Sequence, residues 1–368
     1  MQQNQRSTGV LPRQTLRHIM RSGHISGIAE KYLNPASIDL PLSLEAYRLE
    51  SIFLPRIGEK VRPIIKQVGG LPYDLKNPLE VGVPYLIRVE GKIELPENVY
   101  GYANPKSSTG RINLFCRTVA DGEAMYDALA TLGWSGELWI LVRPDSFPVL
   151  VTPGQAVSQL RLFDGKTFLD RLELNLALRE HGILFHPNGK SWERGKHLRH
   201  ADSLLLSLLV KEGMPGWECR GSSRVLDFGK LNFYKPEEFF TPVVVRNGKL
   251  KLVKGSFYIL STYERVVVPP HLSAELRAID PRFGEYRSHS AGYIDPGWGW
   301  GGDGSVHGRP ITLEVNPYEN MDASPRQTIA RIRYEHMKEV PDIPYDLAKS
   351  NYTKQVRGAA LSKHFKKR

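Results

Sequence analysis

The chain repeats itself, and this limits its fold more than any other feature of the sequence. Tyr85-Leu86-Ile87, Ile93-Glu94-Leu95-Pro96 and residues 99–105 are matched, in the same order, by Tyr258-Ile259-Leu260, Val266-Val267-Val268-Pro269 and residues 272–276. Farther along, residues 152–163 parallel residues 323–334. Identity within each pair is low, but ordered recurrence points to a single domain duplicated in tandem. Within a copy the pattern is short apolar stretches, such as 85–89, 92–95 and 138–142, cut by proline and glycine. Strands at that spacing predict an all-β sandwich or barrel with a few short helices, not alternating β and α units. Helices are expected near 13–23, 123–132 and 169–179. The border between the copies is placed at 180, giving domains 1–180 and 181–368.

A net charge of +11 invites a polyanion, either nucleic acid or a nucleoside triphosphate. Part of that charge sits in the terminal run Ser362-Lys363-His364-Phe365-Lys366-Lys367-Arg368, which reads as a solvated basic end. The run has no repeated aromatic platform, so a nucleic-acid partner is not expected. No stretch is long and apolar enough to cross a bilayer, and the first residues are polar, unlike a signal peptide. Two cysteines, Cys116 and Cys219, suit a reducing cytoplasm and argue against a disulfide framework.

The copies differ where chemistry is expected. The first carries Lys106-Ser107-Ser108-Thr109-Gly110-Arg111, hydroxyls beside cations, which makes either a phosphate cradle or a serine turn capping a helix. The second has Arg282–Arg287 at that place, without serine. The second copy instead holds Ala291-Gly292-Tyr293-Ile294-Asp295-Pro296-Gly297-Trp298, a Gly-rich tip, and Ile311-Thr312-Leu313-Glu314-Val315. These read as the arms of a β-hairpin, Ile311, Leu313 and Val315 facing one side and Thr312 and Glu314 the other. Leu141 falls where Glu314 would stand in the first copy. Each copy keeps what the other lacks, so one composite site is expected, not two complete ones.

These residues resemble the dCTP deaminase family, relatives of the trimeric dUTPases with the same β-clip fold. The likeness rests on Pro35-Ala36-Ser37-Ile38-Asp39-Leu40, the Ser-Ser-x-x-Arg loop, Ile-Asp-Pro-Gly-Trp, Leu-Glu-Val and the C-terminal residues. It is nearest to a bacterial, tandem-domain branch, which implies two dUTPase-like β-clip domains. The resemblance implies that Ser107, Ser108 and Arg111 are the serines and arginine of the loop that hold the catalytic water and a phosphate. Lys106 stands where the family commonly has arginine. Ala291 would lie beside the pyrimidine, Asp295 near the sugar, and Glu314 would be the catalytic glutamate. Tyr293 replaces a basic residue common at its place. Tyr352, Lys354 and Gln355 fall in a stretch resembling the lid that closes over the triphosphate. The partners implied are dCTP and dTTP, the latter as feedback inhibitor, in a homo-oligomer with Mg2+ arriving on the triphosphate.

Deaminating cytosine needs a base for the attacking water and an acid for N3 and the leaving amine. One buried carboxylate can serve both in turn, and Glu314 is the choice. The zinc route carries an H-x-E…P-C-x-x-C signature, absent here, so no zinc is expected. Alternatives are a dUTPase, a bifunctional deaminase/dUTPase, or a non-catalytic nucleotide sensor or nucleic-acid binder.

Overall fold

The structure is a computed structural model describing residues 7–192, 199–200, 202–211, 213, 216–288, 291–301, 305–348, 352–353 and 358–367. Strands dominate, with four α-helices among the described residues: Arg13–Arg21, Val61–Gln67, Ser107–Gly110 and Arg171–Glu180. The chain divides into two compact units, neither of them contiguous in sequence.

The unit of the first copy comprises Thr8–Lys166, Gly221–Glu238 and Ser362–Arg368. Its backbone is the strand Ile38–Arg48. The first part pairs with Ala156–Phe163 and, beyond an irregularity between Leu42 and Ala46, the rest pairs with Tyr85–Val89. Leu114–Ala120, Leu138–Pro144, Tyr100–Pro105 and Ala128–Leu129 extend these antiparallel ladders. Leu86, Val119, Trp139 and Leu141 fill the core between them, and each such side chain taken from water contributes about 1.5–3 kcal/mol. The leading helix is where the spacing placed it, with Leu16, Ile19 and Met20 buried.

The unit of the second copy comprises Thr167–Arg220 and Phe239–Leu361, together with Ser7. One sheet runs through Trp217–Cys219, Phe257–Val266, Arg309–Pro317 and Tyr286–Ser288. Another runs through Ser203–Ser207, Thr328–His336, Leu272–Arg277 and Tyr293–Ile294. Their shared core holds Leu204, Leu260, Leu313, Val315, Ile332 and Tyr334.

Register bears out the duplication residue by residue. Tyr85 pairs with Val142 and Leu86 with Leu141; in the second copy Tyr258 pairs with Val315 and Ile259 with Glu314. The Tyr85 hydroxyl accepts from the Glu80 amide at 3.2 Å, as the Tyr258 hydroxyl accepts from the Val253 amide at 2.9 Å. Leu141 and Glu314 are therefore structural equivalents.

The expected border at 180 does not coincide with the units. Helix Arg171–Glu180 belongs to the second copy's unit because Leu174 and Ala177 pack into that core. A capping box starts it: the Asp170 side chain accepts from the Leu172 and Glu173 amides, and Glu173 accepts from the Asp170 amide. Residues 221–238 join the other unit because Leu226–Asp227 adds in parallel to Val149–Leu150. No helix forms at 123–132. Glu123 instead accepts from the Thr131 amide at 2.9 Å, Asp127 turns with φ 62°, and Ala128–Leu129 is a strand. The paired β-hairpin also needs correction: Tyr293–Ile294 pairs with Leu272–Arg277, while Arg309–Pro317 pairs with Phe257–Val266 and Tyr286–Ser288. The two arms lie in different sheets, joined by an arch that starts at Pro296-Gly297.

Among the described residues, half-buried His271 in one unit and buried His364 in the other are held neutral. His271 lies against His181, ring centroids 4.5 Å apart. Burial, with His181 and then His336 adding repulsion, pushes it down to about 4. His364, in the other unit, is pushed down to about 4 chiefly by burial. The unfolded chain therefore binds a proton at each position before the folded chain does. Their stabilisation is complete above about pH 6.5 and is lost as pH falls towards 4. Denaturant unfolding at pH 5 should show about 1–2 kcal/mol less stability per histidine than at pH 7.5, and His271→Gln should flatten that pH dependence. An unchanged slope in the variant would remove His271 as a cause.

Candidate active site

The serine loop begins where the strand Tyr100–Pro105 ends. The Lys106 amide donates to the Val157 carbonyl at 3.0 Å, and residues Ser107–Gly110 form one helical turn. Lys106 occupies the N-cap position, so the serines lie within the turn and do not cap it. The Thr109 hydroxyl donates to the same Val157 carbonyl at 2.8 Å, which fixes the turn against the sheet. Ser108 and Arg111 are buried and Ser107 half-buried. The Lys106 ammonium pairs with Asp39, whose other oxygen accepts from Asn34 at 2.8 Å.

The basic C-terminal run is anchored at its start, while Lys366 and Lys367 stay exposed as expected of a solvated end. The Ser362 hydroxyl donates to the Ser108 carbonyl at 2.9 Å, and Ser362, His364 and Phe365 are buried. Burial, together with the charge of Lys106, pushes the Lys363 ammonium below its ordinary range, while Asp39 works the other way. Cations gathered around a single carboxylate beside two serine hydroxyls suit an anionic group. Sequence reasoning missed Ser362 and Lys363. Its available signal was Phe365, an aromatic within a run otherwise basic and polar.

In the other unit, Glu314 sits on Arg309–Pro317 between two neighbouring strands and is 3% exposed. Its Oε2 accepts from the Ala291 amide at 2.9 Å, which brings together the two residues expected beside the pyrimidine. Ile311, Leu313 and Val315 enter the core as their alternation predicts. The opposite face is covered too: the Thr312 hydroxyl accepts from the Ala360 amide at 3.2 Å, so residues just after the expected lid lie on it. Tyr293 is buried in the sheet, paired across from Glu275. The Asp295 carbonyl accepts from the Trp298 amide at 3.3 Å as the arch turns.

Residues 340–348 fasten this arch. The Tyr345 amide donates to the Pro296 carbonyl at 2.8 Å. Asp346 takes a fork from Arg309 at 2.6 and 3.1 Å and accepts from the Gly301 amide at 2.8 Å. Gly297 is required by the contact, since its φ is 86° and a Cβ there would come within 2.6 Å of Pro344. Sequence reasoning did not single out Arg309 or Asp346. Of the expected lid residues, Tyr352 is half-buried, while Lys354 and Gln355 lie outside the described residues.

Ser107, Ser108, Lys106 and Arg111 thus belong to one unit, and Ala291, Tyr293, Asp295 and Glu314 to the other. Among the described residues no group of three or more His, Cys, Asp or Glu is placed to hold a metal ion, and no helix is long and apolar enough to cross a membrane.

Residues 7–166 match the family model for the 2'-deoxycytidine 5'-triphosphate deaminase N-terminal domain, and residues 180–365 match that for its C-terminal domain. The chain belongs to the dCTP deaminase family. A solved 2'-deoxycytidine 5'-triphosphate deaminase from Agrobacterium tumefaciens is similar over 91% of this chain and 97% of its own, with a TM-score of 0.83 and 30% identity. No curated protein matches the sequence. Family membership gives the asymmetry of the copies a direction, since the family's domain pair spans both halves of the chain.

Proposed function

We propose that the protein deaminates dCTP to dUTP and ammonia at one composite site, with the serine loop of one copy gripping phosphates and Glu314 of the other handling protons. The observation that carries this reading is the equivalence of Leu141 and Glu314. A buried strand position that holds leucine in one copy holds, in the other, a carboxylate fixed by the Ala291 amide. Burying a carboxylate is costly, so its presence on an otherwise apolar strand calls for a use.

In the reaction, water adds through oxygen to C4 of cytosine while Glu314 takes its proton. Glu314 passes that proton to N3, then takes the proton of the C4 hydroxyl and gives it to the exocyclic nitrogen, so that the C4–N4 bond breaks and ammonia leaves as the C4 carbonyl forms. Arg111 and the Ser107 hydroxyl would orient the water and stabilise charge developing at C4. Lys106, Ser108, Tyr352, Lys354 and Gln355 would bind the phosphates, Asp295 the sugar and Ala291 the ring. Tyr293, buried in its own sheet, would offer its hydroxyl in place of the basic residue common in the family. Mg2+ would come with the triphosphate, held by phosphate oxygens and water, and no residue here is assigned to it. The same reading takes the protein as a cytoplasmic homo-oligomer inhibited by dTTP, on the strength of the resemblance.

The test is to add dCTP and follow ammonia and pyrophosphate together. Ammonia with no pyrophosphate is expected; no ammonia from dCTP but pyrophosphate from separately added dUTP would make the protein a dUTPase-type enzyme, and equal release of both from dCTP a bifunctional one.

A further inference from the structure

The second copy's unit contains a cleft of about 420 Å3 lined by His186, Asn188, Leu209, Lys211, Tyr263 and Arg326, among others. It shares no residue with the proposed deamination site. Its origin can be traced by comparing the copies. In the first copy the Gly154 amide donates to the Leu42 carbonyl at 2.8 Å, and the Leu42 amide to the Gln155 carbonyl at 2.9 Å. In the second, the Arg326 amide donates to the Leu208 carbonyl at 3.1 Å, and the Leu208 amide to the Gln327 carbonyl at 2.8 Å. The same glutamine side chain closes each turn, accepting from Thr152 at 3.0 Å and from Ser324 at 3.1 Å. Arg326 therefore stands where the first copy has Gly154.

That replacement runs against backbone preference. Gly154 has φ 79° and Arg326 φ 62°, a region glycine enters freely and an L-residue with a long side chain enters at a cost. Strain of this kind, where a relaxed residue was available, points to a role for the side chain. The Arg326 guanidinium lies 5.0 Å from the Tyr263 ring centroid and 5.7 Å from that of Trp192, and Trp192 packs against His186 at 3.9 Å. Three residues beyond the paired leucines, the first copy has Glu45, matched by Arg62 and Arg88, whereas the second has Lys211. Local charge has changed sign. The nearby carboxylate, Glu264, is buried, and Ser207 occupies its oxygens through the amide at 2.7 Å and the hydroxyl at 2.6 Å. Burial pushes the Glu264 carboxyl up, which weakens it as a counter-ion to Arg326.

We propose that this cleft is a second ligand site, taking a phosphate-bearing small molecule with an apolar ring: Arg326 and Lys211 grip the phosphate while Tyr263, Leu209 and Val210 receive the ring. An arginine held against aromatic rings keeps its edge N–H groups for a planar array of oxygen acceptors. The volume lies within the range of small-molecule sites and exceeds what a bare phosphate fills, hence the organic body.

Phenyl phosphate is the probe, with inorganic phosphate as its comparison, read by hydrogen exchange of the full chain. Phenyl phosphate should protect peptides covering 204–211 and 323–328, at lower concentration than inorganic phosphate does. Arg326→Gly restores the first copy's residue in a glycine-compatible conformation. It should fold with an unchanged or higher Tm, keep its basal turnover of dCTP, and need at least tenfold more phenyl phosphate for the same protection. Equal protection in Arg326→Gly, protection confined to residues 106–111, or none at millimolar probe would overturn the proposal. Inorganic phosphate protecting as well as phenyl phosphate would overturn the ring's part in it.

Discussion

Glu314→Gln should lower ammonia release from dCTP by about 10²- to 10⁴-fold while dCTP affinity stays within a few-fold, the usual span for losing a positioned general acid–base group. The substitution is informative because it removes little else. The glutamine side-chain carbonyl can still accept from the Ala291 amide, now 2.9 Å from Oε2, so the strand and the residue expected beside the ring stay in place. Nearly equal in volume but uncharged, glutamine also relieves the cost of a carboxylate at 3% exposure, so Tm should not fall. Calorimetric titration with dCTP and a coupled ammonia assay on the same preparation separate binding from turnover. Retained turnover would show that another group moves the protons. Lost binding with proportionate loss of rate would make Glu314 a substrate contact only. If pyrophosphate release from dUTP were present and unaffected, the bifunctional alternative would gain.

What could be read from the sequence was whatever repeats or alternates. The duplication showed because both copies keep the strand order and the turn glutamines Gln155 and Gln327, which accept equivalent hydrogen bonds. Alternation placed Ile311, Leu313 and Val315 in the core and left Glu314 on the other face. That face is buried as well, because the chain returns over it at Ala360, and periodicity in one strand cannot report what a distant segment covers. The hairpin failed for a related reason. Turn residues between two strands signal a reversal, but they do not say whether the arms pair with each other or with strands of different sheets. The loss of the helix near 123–132 has another cause, since side-chain bonds from Glu123 and Asp127 to backbone amides override local propensity. Arg309 and Asp346 stand 37 residues apart, with no shared motif to join them. Their pairing, like that of Ser362 with Ser108, exists only in three dimensions.

On the proposed composite site, duplication would let each copy give up half of it. Once a chain carries both domains, selection acts on the pair, and a position such as 141 can hold leucine without penalty if 314 carries the carboxylate. The apolar replacement is the more stable choice for a buried strand, so loss is the default and retention marks use. By the same logic Arg326, a charged side chain where the other copy has Gly154, stands out from ordinary drift.

Asp346→Ala should be the most destabilising change in the arch, costing about 3–5 kcal/mol, because it strands a charge that folding has removed from water. Arg309 and Asp346 are 8% and 4% exposed, bonded at 2.6 and 3.1 Å, and the Gly301 amide depends on the same carboxylate at 2.8 Å. Asp346→Asn retains an acceptor for Gly301 and should lose less. A paired Arg309→Met, Asp346→Leu variant removes both charges together and should recover most of the stability, since apolar side chains of similar volume often replace a buried ion pair at little cost. Stability and function should then part. Residues 340–348 hold the loop that carries Asp295 and lead into the expected lid at Tyr352, so the apolar pair restores packing but not the bidentate fix on the arch. The expected result is a Tm near that of the parent, a KM for dCTP raised about tenfold or more, and a smaller change in kcat, because ground-state positioning is lost and the proton carrier is not. Hydrogen exchange over 295–301 should rise in the same variant. If KM recovers along with Tm, the pair only stabilises the fold and the arch positions the substrate without it.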